Sequence, residues 1–192
     1  SYTDDTICTI AIADAVLNER DYQESLLDWC RRYPDPMGGY GKRFYQWINS
    51  DNPQPTDSCG NGSAMRVSSV GWLYDSLTRT REVARWTAEV THNHPEGVKG
   101  AETVASAIYL GRMGHSKEEI KDYIRQEFGY DLTRTLDEIR PTYSMDATCP
   151  GSVPEAITAF LESTDVIDAI RNAVSLGGDT DTTACIAGSI AE

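Results

Sequence analysis

Long hydrophobic runs and paired cysteine motifs are both missing from this sequence. No apolar stretch approaches the ~18–20 residues of a membrane span, and no basic segment followed by a short apolar stretch marks a signal peptide. The five cysteines are scattered and include no C-x-x-C pair, which argues against a zinc ribbon or a disulfide framework. We therefore expect reduced thiols, a cytoplasmic location and no membrane association.

Positive charge is scarce. The chain has 17 Lys and Arg residues against 30 Asp and Glu, for a formal net charge of −13. Nonspecific nucleic-acid binding depends on Lys and Arg contacts with phosphates, so no nucleic-acid partner is predicted. The length of 192 residues fits one domain, and the 40% hydrophobic fraction is typical of globular proteins. The oligomeric state is left open.

Signals for β-structure are missing as well. No segment alternates long enough for a sheet, whereas apolar residues recur at helical spacing along most of the chain. Residues 34–62 are predicted to be a long loop with a short aromatic helix inside it, and 129–151 to be irregular. Pro154 is expected at a helix start. The sequence predicts an all-α fold whose other helices lie at about 7–17, around 26–29, 63–77, 80–90, 96–112, 116–128, 153–163, 165–175 and from 179.

Two acidic segments precede predicted helices, Thr3-Asp4-Asp5-Thr6 and Asp179-Thr180-Asp181-Thr182. Each offers two carboxylates and two hydroxyls, which are the oxygen ligands that hard divalent cations prefer. Helix capping explains either segment alone. Gly177-Gly178 would let the backbone approach a ligand, and small residues in the helices that follow would allow these two helix starts to meet. We therefore expect one or two hard divalent cations between the segments.

Two further loops could contact a ligand. Gly60-Asn61-Gly62-Ser63-Ala64-Met65-Arg66 is a glycine-rich turn before a helix, a setting that suits phosphate, although a plain capped turn is about as plausible. It is not a Walker A loop, because no Gly-Lys-Ser/Thr follows. Thr91-His92-Asn93-His94-Pro95-Glu96-Gly97 carries two histidines, which serve either as structural hydrogen-bonding groups or as substrate contacts.

Together and in this order, these four segments resemble the ADP-ribosylglycohydrolase family along the whole chain. The resemblance implies an all-α orthogonal bundle around a dinuclear Mg²⁺ or Mn²⁺ site. Family members carry an upstream Gly-Asp segment with an acidic residue, and this chain begins at the first metal motif. We therefore expect residues 1–192 to form a single domain truncated at both ends. The resemblance implies metal ligands Thr3, Asp4, Asp5, Asp179, Asp181 and Thr182, catalytic residues Asp4, Asp5 and Asp181, and substrate contacts Gly60, Asn61, Gly62, Ser63, Ala64, Met65, Asn93, His94 and Gly97.

The implied reaction is hydrolysis of the glycosidic bond between ADP-ribose and an acceptor, either a protein side chain or a small ADP-ribosyl conjugate. A metal pair can position a sugar diol and activate water. Two alternatives remain open at this point. One is an ADP-ribose-binding or crystallin-like structural protein without turnover. The other is a metal-dependent phosphohydrolase, because carboxylates and two metals serve that chemistry equally well.

Overall fold

The computed structural model describes residues 1–192, and its regular secondary structure is helical. An isolated antiparallel bridge between Gly60 and Thr148 is the one β-type pairing. None of the helices combines the length and the apolar character needed to cross a bilayer. The helices are α1 (Asp4–Leu17), α2 (Tyr22–Arg32), α3 (Lys42–Ile48), α4 (Gly62–Met65), α5 (Ser68–Leu73), α6 (Leu77–Glu89), α7 (Pro95–Arg112), α8 (Lys117–Phe128), α9 (Leu136–Ile139), α10 (Cys149–Leu161), α11 (Val166–Leu176) and α12 (Thr180–Ala191).

Helix α7 lies at the centre of the molecule. Most of its residues are buried around its whole circumference, which is typical of a core helix rather than a surface one. It packs against α4, α5, α6, α8, α10 and α12. The helix is rich in Gly, Ala, Ser and Thr, so its neighbours can approach closely. At Gly71 of α5, for example, an added Cβ would lie 2.6 Å from Ile108 Cβ.

The all-α prediction is confirmed, but three of the predicted local features are wrong. Residues 63–77 do not form one helix, because α4 ends at Met65 and α5 begins at Ser68. The segment 129–151 is not wholly irregular, since the capping box of Thr135 and Glu138 starts the short helix α9. Pro154 lies inside α10, and the proline in that helix's first turn is Pro150. The capping box predicted for α8, Ser116 with Glu119, is confirmed.

The starts of α1 and α12 meet, although these two helices are not principal packing partners. Helix α1 packs chiefly against α2, and α12 packs chiefly against α11 and α10. Both helices contact α4 and α5, which lie between them. Gly188, one of the small residues of α12, packs against Ile170 of α11, where an added Cβ would lie 3.1 Å from Ile170 Cγ1. Short intermediate helices therefore bring the two acidic segments together, rather than close packing of α1 on α12.

Candidate functional site

Neither acidic segment uses its N-cap side chain to cap the helix that follows. Thr3 is the N-cap residue of α1 and Asp179 that of α12, and neither makes a side-chain capping hydrogen bond. The Thr3 hydroxyl instead donates to Asp5 Oδ2 at 3.1 Å. Simple capping therefore does not account for these side chains, and the cation interpretation is left as the better explanation.

Three carboxylates converge at this point. Asp4, Asp5 and Asp181 each offer one oxygen, and these oxygens all lie within 4.8 Å of one another. Asp5 is 4% exposed, and its Oδ1 atom is buried without a hydrogen-bond partner. An orphaned buried carboxylate oxygen is costly unless a ligand completes its contacts. A set of oxygen donors with this charge fits a hard divalent cation such as Mg²⁺ or Mn²⁺.

The electrostatics of the cluster agree with its geometry. Burial, reinforced by the charge of Asp181, raises the pKa of Asp4 to about 6. Burial, reinforced by the charge of Asp4, raises the pKa of Asp5 to about 7. Burial also raises the pKa of Asp179, although the hydrogen bond that the Asn61 amide donates to this carboxylate opposes the shift. A cation would stabilise the ionised form of all three groups.

Asn61 connects the glycine loop to the second acidic segment. Its Nδ2 donates to Asp179 Oδ2 at 2.8 Å and to Ser152 Oγ at 3.1 Å. The backbone of the loop is held in place, because Asn61 N donates to Ala147 O at 2.9 Å. The sequence places Asn61 only in a substrate-binding loop, and nothing in its spacing indicates a partner more than a hundred residues away. We infer that Asn61 orients the Asp179 carboxylate.

Substituting Asn61→Ala is expected to weaken the affinity for divalent cations about 10–100-fold, which is typical for loss of a group that orients a ligand. Calorimetric titration with Mn²⁺ would measure this affinity. Ser152→Ala is the matched control, because it removes the other partner of the amide and leaves the bond to Asp179. Equal losses in the two variants would contradict a specific role of the Asn61–Asp179 bond.

A cavity of about 520 Å³ opens beside the carboxylates. Of the predicted substrate contacts in the glycine loop, Gly60, Asn61, Gly62 and Met65 line it. Ser63 and Ala64 do not; they are buried behind the wall, where Ser63 Oγ donates to Gly97 O at 2.7 Å. The other lining residues are Asp4, Cys8, Gly38, Gly39, Gly41, Lys42, Arg43, Phe44, Ser58, Arg66, His92, Met145, Ala147, Asp179, Asp181 and Thr182.

The helix that follows the glycine loop is too short to add a substantial helix dipole to the phosphate setting predicted for this loop. Helix α4 has four residues, so few aligned peptide units stand behind its first turn. What remains for an anion is the backbone N–H group of Gly62, which lines the cavity and has no hydrogen-bond acceptor within the chain. The glycine at position 62 keeps the wall open, since an added Cβ would lie 3.1 Å from His92 Nε2.

His92 is the histidine that lines the cavity. The histidine loop left a substrate role open for it, but the contacts implied by the family resemblance do not include it. Burial, with the nearby charge of Arg66, lowers the pKa of His92 to about 3, so the ring is neutral. Arg66 donates to Thr91 Oγ1 at 2.8 Å, and the same hydroxyl lies 2.6 Å from His92 Nδ1. The Thr91 hydroxyl also lies 3.5 Å from Ala88 O. We assign its proton to the nearer Nδ1, and this assignment places the ring proton on Nε2, beside Gly60 and Gly62.

The other predicted contacts of the histidine loop lie outside the cavity lining and support its wall. Asn93 Oδ1 accepts from Asp57 N at 2.7 Å, and His94 is the N-cap of α7, where its Nδ1 accepts from Glu96 N at 3.1 Å. At Gly97 an added Cβ would lie 2.5 Å from Ser58 O. Gly97 thus lets the segment that contains Ser58 pass directly over α7.

Gly97→Ala is expected to destabilise the protein by about 1–3 kcal/mol, because the new methyl group overlaps a backbone carbonyl that has no rotamer to change. Gly111→Ala is the matched control in the same helix, where the nearest atom to an added Cβ is 3.6 Å away. Since alanine favours helix over glycine, the control is expected to raise stability by up to about 1 kcal/mol. Urea unfolding of both variants would show whether the two changes have opposite signs.

Comparison with known proteins decides the family. The ADP-ribosylglycohydrolase family model matches residues 1–191. The chain belongs to the ADP-ribosylglycohydrolase family. Membership makes it a hydrolase of the ADP-ribosylglycohydrolase type, as the resemblance in the sequence implies.

Relatives of this family member match it from end to end. ADP-ribosylhydrolase ARH3 of Homo sapiens is 29% identical, and the alignment covers 99% of this chain and 69% of that protein. An uncharacterized protein of Archaeoglobus fulgidus is 31% identical, and the alignment covers 98% of this chain and 70% of that protein. ADP-ribosylarginine hydrolase Tri1 of Pseudomonas putida is 24% identical, and the alignment covers 99% of this chain and 57% of that protein.

A solved structure supports the fold of this ADP-ribosylglycohydrolase family member. A chain from an ADP-ribosylglycohydrolase-related protein complex superposes with a TM-score of 0.76 at 24% identity. The match covers 100% of this chain and 70% of the other. At this identity the likeness extends to the fold alone.

Proposed function

We propose that the chain is a metal-dependent hydrolase that cleaves the glycosidic bond between ADP-ribose and an acceptor. The observation that carries the metal dependence is the convergence of Asp4, Asp5 and Asp181, with Asp5 Oδ1 buried and unpartnered. Asp179, Thr3 and Thr182 complete the proposed ligand set. Mg²⁺ or Mn²⁺, as one or two ions, would hold the ribose hydroxyls and lower the pKa of a bound water.

The chain's own residues would position the rest of the substrate. The free N–H group of Gly62 and the Nε2–H of His92 are donors on the glycine-loop wall, and we assign them to the diphosphate. His92 stays neutral at all working pH values, so it would donate without changing charge. The carboxylates of Asp4 and Asp179 line the same cavity and would stabilise the positive charge that develops on the ribose carbon as the bond breaks.

Release of ADP-ribose from a conjugate tests this function. The chain would be freed of metal with EDTA and then incubated with an ADP-ribosylserine peptide, with and without added Mg²⁺ or Mn²⁺. We expect free ADP-ribose only after metal is restored. Binding of ADP-ribose without release would favour the binding alternative, and phosphate release from nucleotides would favour the phosphohydrolase alternative. Hydrolysis at an undiminished rate in EDTA would contradict the metal dependence.

A further inference from the structure

Two thiols lie against each other beside the cavity. Cys8 Sγ of α1 and Cys30 Sγ of α2 are 3.9 Å apart, and both residues are buried. Both cysteines are free in the structure. Cys8 lines the cavity and Cys30 does not, so a small molecule that enters the cavity comes closest to the Cys8 sulfur.

A buried cation without a carboxylate partner accompanies the pair. Arg66 is 1% exposed, and its Nε atom has no hydrogen-bond partner. Its guanidinium donates only to neutral groups, Thr87 O and Thr91 Oγ1. A buried charge is costly unless an anion offsets it, and Cys8 and Cys30 are the groups whose ionised forms would stabilise this one. The thiols are therefore in the electropositive setting that is typical of reactive cysteines.

This arrangement suits oxidation by a small hydroperoxide, for which hydrogen peroxide is the probe. The Cys8 sulfur attacks one peroxide oxygen, the O–O bond breaks and water leaves, so Cys8 becomes a sulfenic acid. The Cys30 sulfur then attacks the Cys8 sulfur and displaces the sulfenic oxygen as a second water. The hydrogen bond from Cys8, helped by the charge of Arg66 and opposed by burial, lowers the pKa of Cys30 and favours this attack. In sum, two thiols are oxidised to one disulfide and one peroxide is reduced to two waters.

A disulfide at this position would shift one half of the proposed metal site against the other. The sulfurs would have to close from 3.9 Å to about 2.05 Å, which draws α1 and α2 together. Asp4 and Asp5 lie about one helical turn before Cys8 in α1, whereas Asp181 lies in α12, which packs chiefly against α11 and α10. We propose that Cys8 and Cys30 are a peroxide-sensitive dithiol whose oxidation weakens the binding of divalent cations. The effect on the cation rests on the proposed function, whereas the disulfide itself does not.

The test treats the folded chain with a small molar excess of hydrogen peroxide, which catalase then removes. Trypsin separates the five cysteines into different peptides, so mass spectrometry identifies each bond. We expect a cross-link between Cys8 and Cys30 and a fall in Mn²⁺ affinity of about 10–100-fold, the size typical when metal ligands lose their support. Dithiothreitol should remove the cross-link and restore the affinity, because it reduces a disulfide but not a methionine sulfoxide.

Two serine variants separate this dithiol from the other thiols. Cys30→Ser removes one sulfur of the pair and should keep its Mn²⁺ affinity after peroxide treatment. Cys59→Ser is the matched control, because Cys59 lies outside the pair and outside the cavity lining, and it should respond as the wild type does.

Free thiols at both Cys8 and Cys30 after peroxide treatment, or a disulfide through another cysteine, would overturn the assignment. A Cys8–Cys30 disulfide with unchanged Mn²⁺ affinity would overturn the effect on the cation, and so would an equal loss of affinity in Cys30→Ser. If the reduced chain binds no Mn²⁺, the proposed metal dependence fails and the effect on the cation fails with it, while mass spectrometry still decides whether the disulfide forms.

Discussion

Saturating Mg²⁺ or Mn²⁺ is expected to raise the melting temperature of the chain by about 5–11 °C, and Asp181→Asn to abolish that rise. A ligand present at about 100 times its Kd stabilises the folded state by about 2.7 kcal/mol. For a chain of this length, each kcal/mol corresponds to roughly 2–4 °C. Asp181 supplies one of the three converging oxygens, so its replacement by a neutral amide removes both charge and a ligand.

Asp181→Asn is also expected to lower kcat for ADP-ribose release about 10²–10³-fold. This is the range found when one preorganised electrostatic group is removed. Asp137→Asn is a suitable control, because this carboxylate is 91% exposed and lies outside the cluster. Thermal melts with and without metal would be recorded alongside the release assay. A metal-induced rise that survives Asp181→Asn would show that the cation binds elsewhere.

In the absence of metal, the substitution Asp5→Asn is expected to stabilise the protein by about 2–4 kcal/mol near pH 7.5. Asp5 is buried beside Asp4, and its pKa is raised to about 7. The folded state therefore binds this proton more tightly than the unfolded state. In EDTA the wild-type chain should gain stability as the pH falls from about 8 toward 4, and should lose it again as the pH rises through 7.

The amide keeps the size of the side chain and removes the charge, so the pH dependence of Asp5→Asn should be flatter than that of the wild type. Chemical unfolding in EDTA at pH 5.5 and pH 7.5 measures both effects. Asp137→Asn again serves as the control and should change stability by less than about 0.5 kcal/mol. A destabilised Asp5→Asn variant with unchanged pH dependence would mean that Asp5 is a structural hydrogen-bonding residue rather than part of a strained anionic cluster.

The fold could be predicted where one local pattern decides the outcome. The boundaries of α7 and α8 follow from helical periodicity with Pro95 and the Ser116–Glu119 capping box at their starts. The stretch 63–77 could not be predicted in the same way, because its apolar residues suit one continuous helix equally well. In the structure the chain breaks between Met65 and Ser68, and α5 then packs closely on α7, where Gly71 approaches Ile108.

The candidate site shows the same division. Sequence order identifies both acidic segments, and the structure brings Asp4, Asp5 and Asp181 together. The assignment of Asn93, His94 and Gly97 to the substrate stays a prediction, and the structure places them outside the lining of the cavity. Which histidine faces the cavity depends on the three-dimensional path of the loop, which the spacing of His92 and His94 does not specify.

Lys42 and Arg43 illustrate a second limit. In the sequence they are two ordinary cations after a glycine-rich loop, and nothing distinguishes them from the other basic residues. Their position depends on two structural facts, that they line the cavity and that no carboxylate pairs with them. Sequence patterns therefore locate the charged ligands of the proposed metal site, whereas the unpaired cations of the cavity emerge only from its three-dimensional arrangement.

The most direct measurement is an anomalous diffraction map from crystals of the chain grown with Mn²⁺ and ADP-ribose. We expect one or two anomalous peaks about 2.1 Å from carboxylate oxygens of Asp4, Asp5 and Asp181, with the distal ribose hydroxyls against the metal. Peaks at other carboxylates, or ADP-ribose bound in the cavity with no metal beside Asp5, would contradict a metal site shared by the two acidic segments.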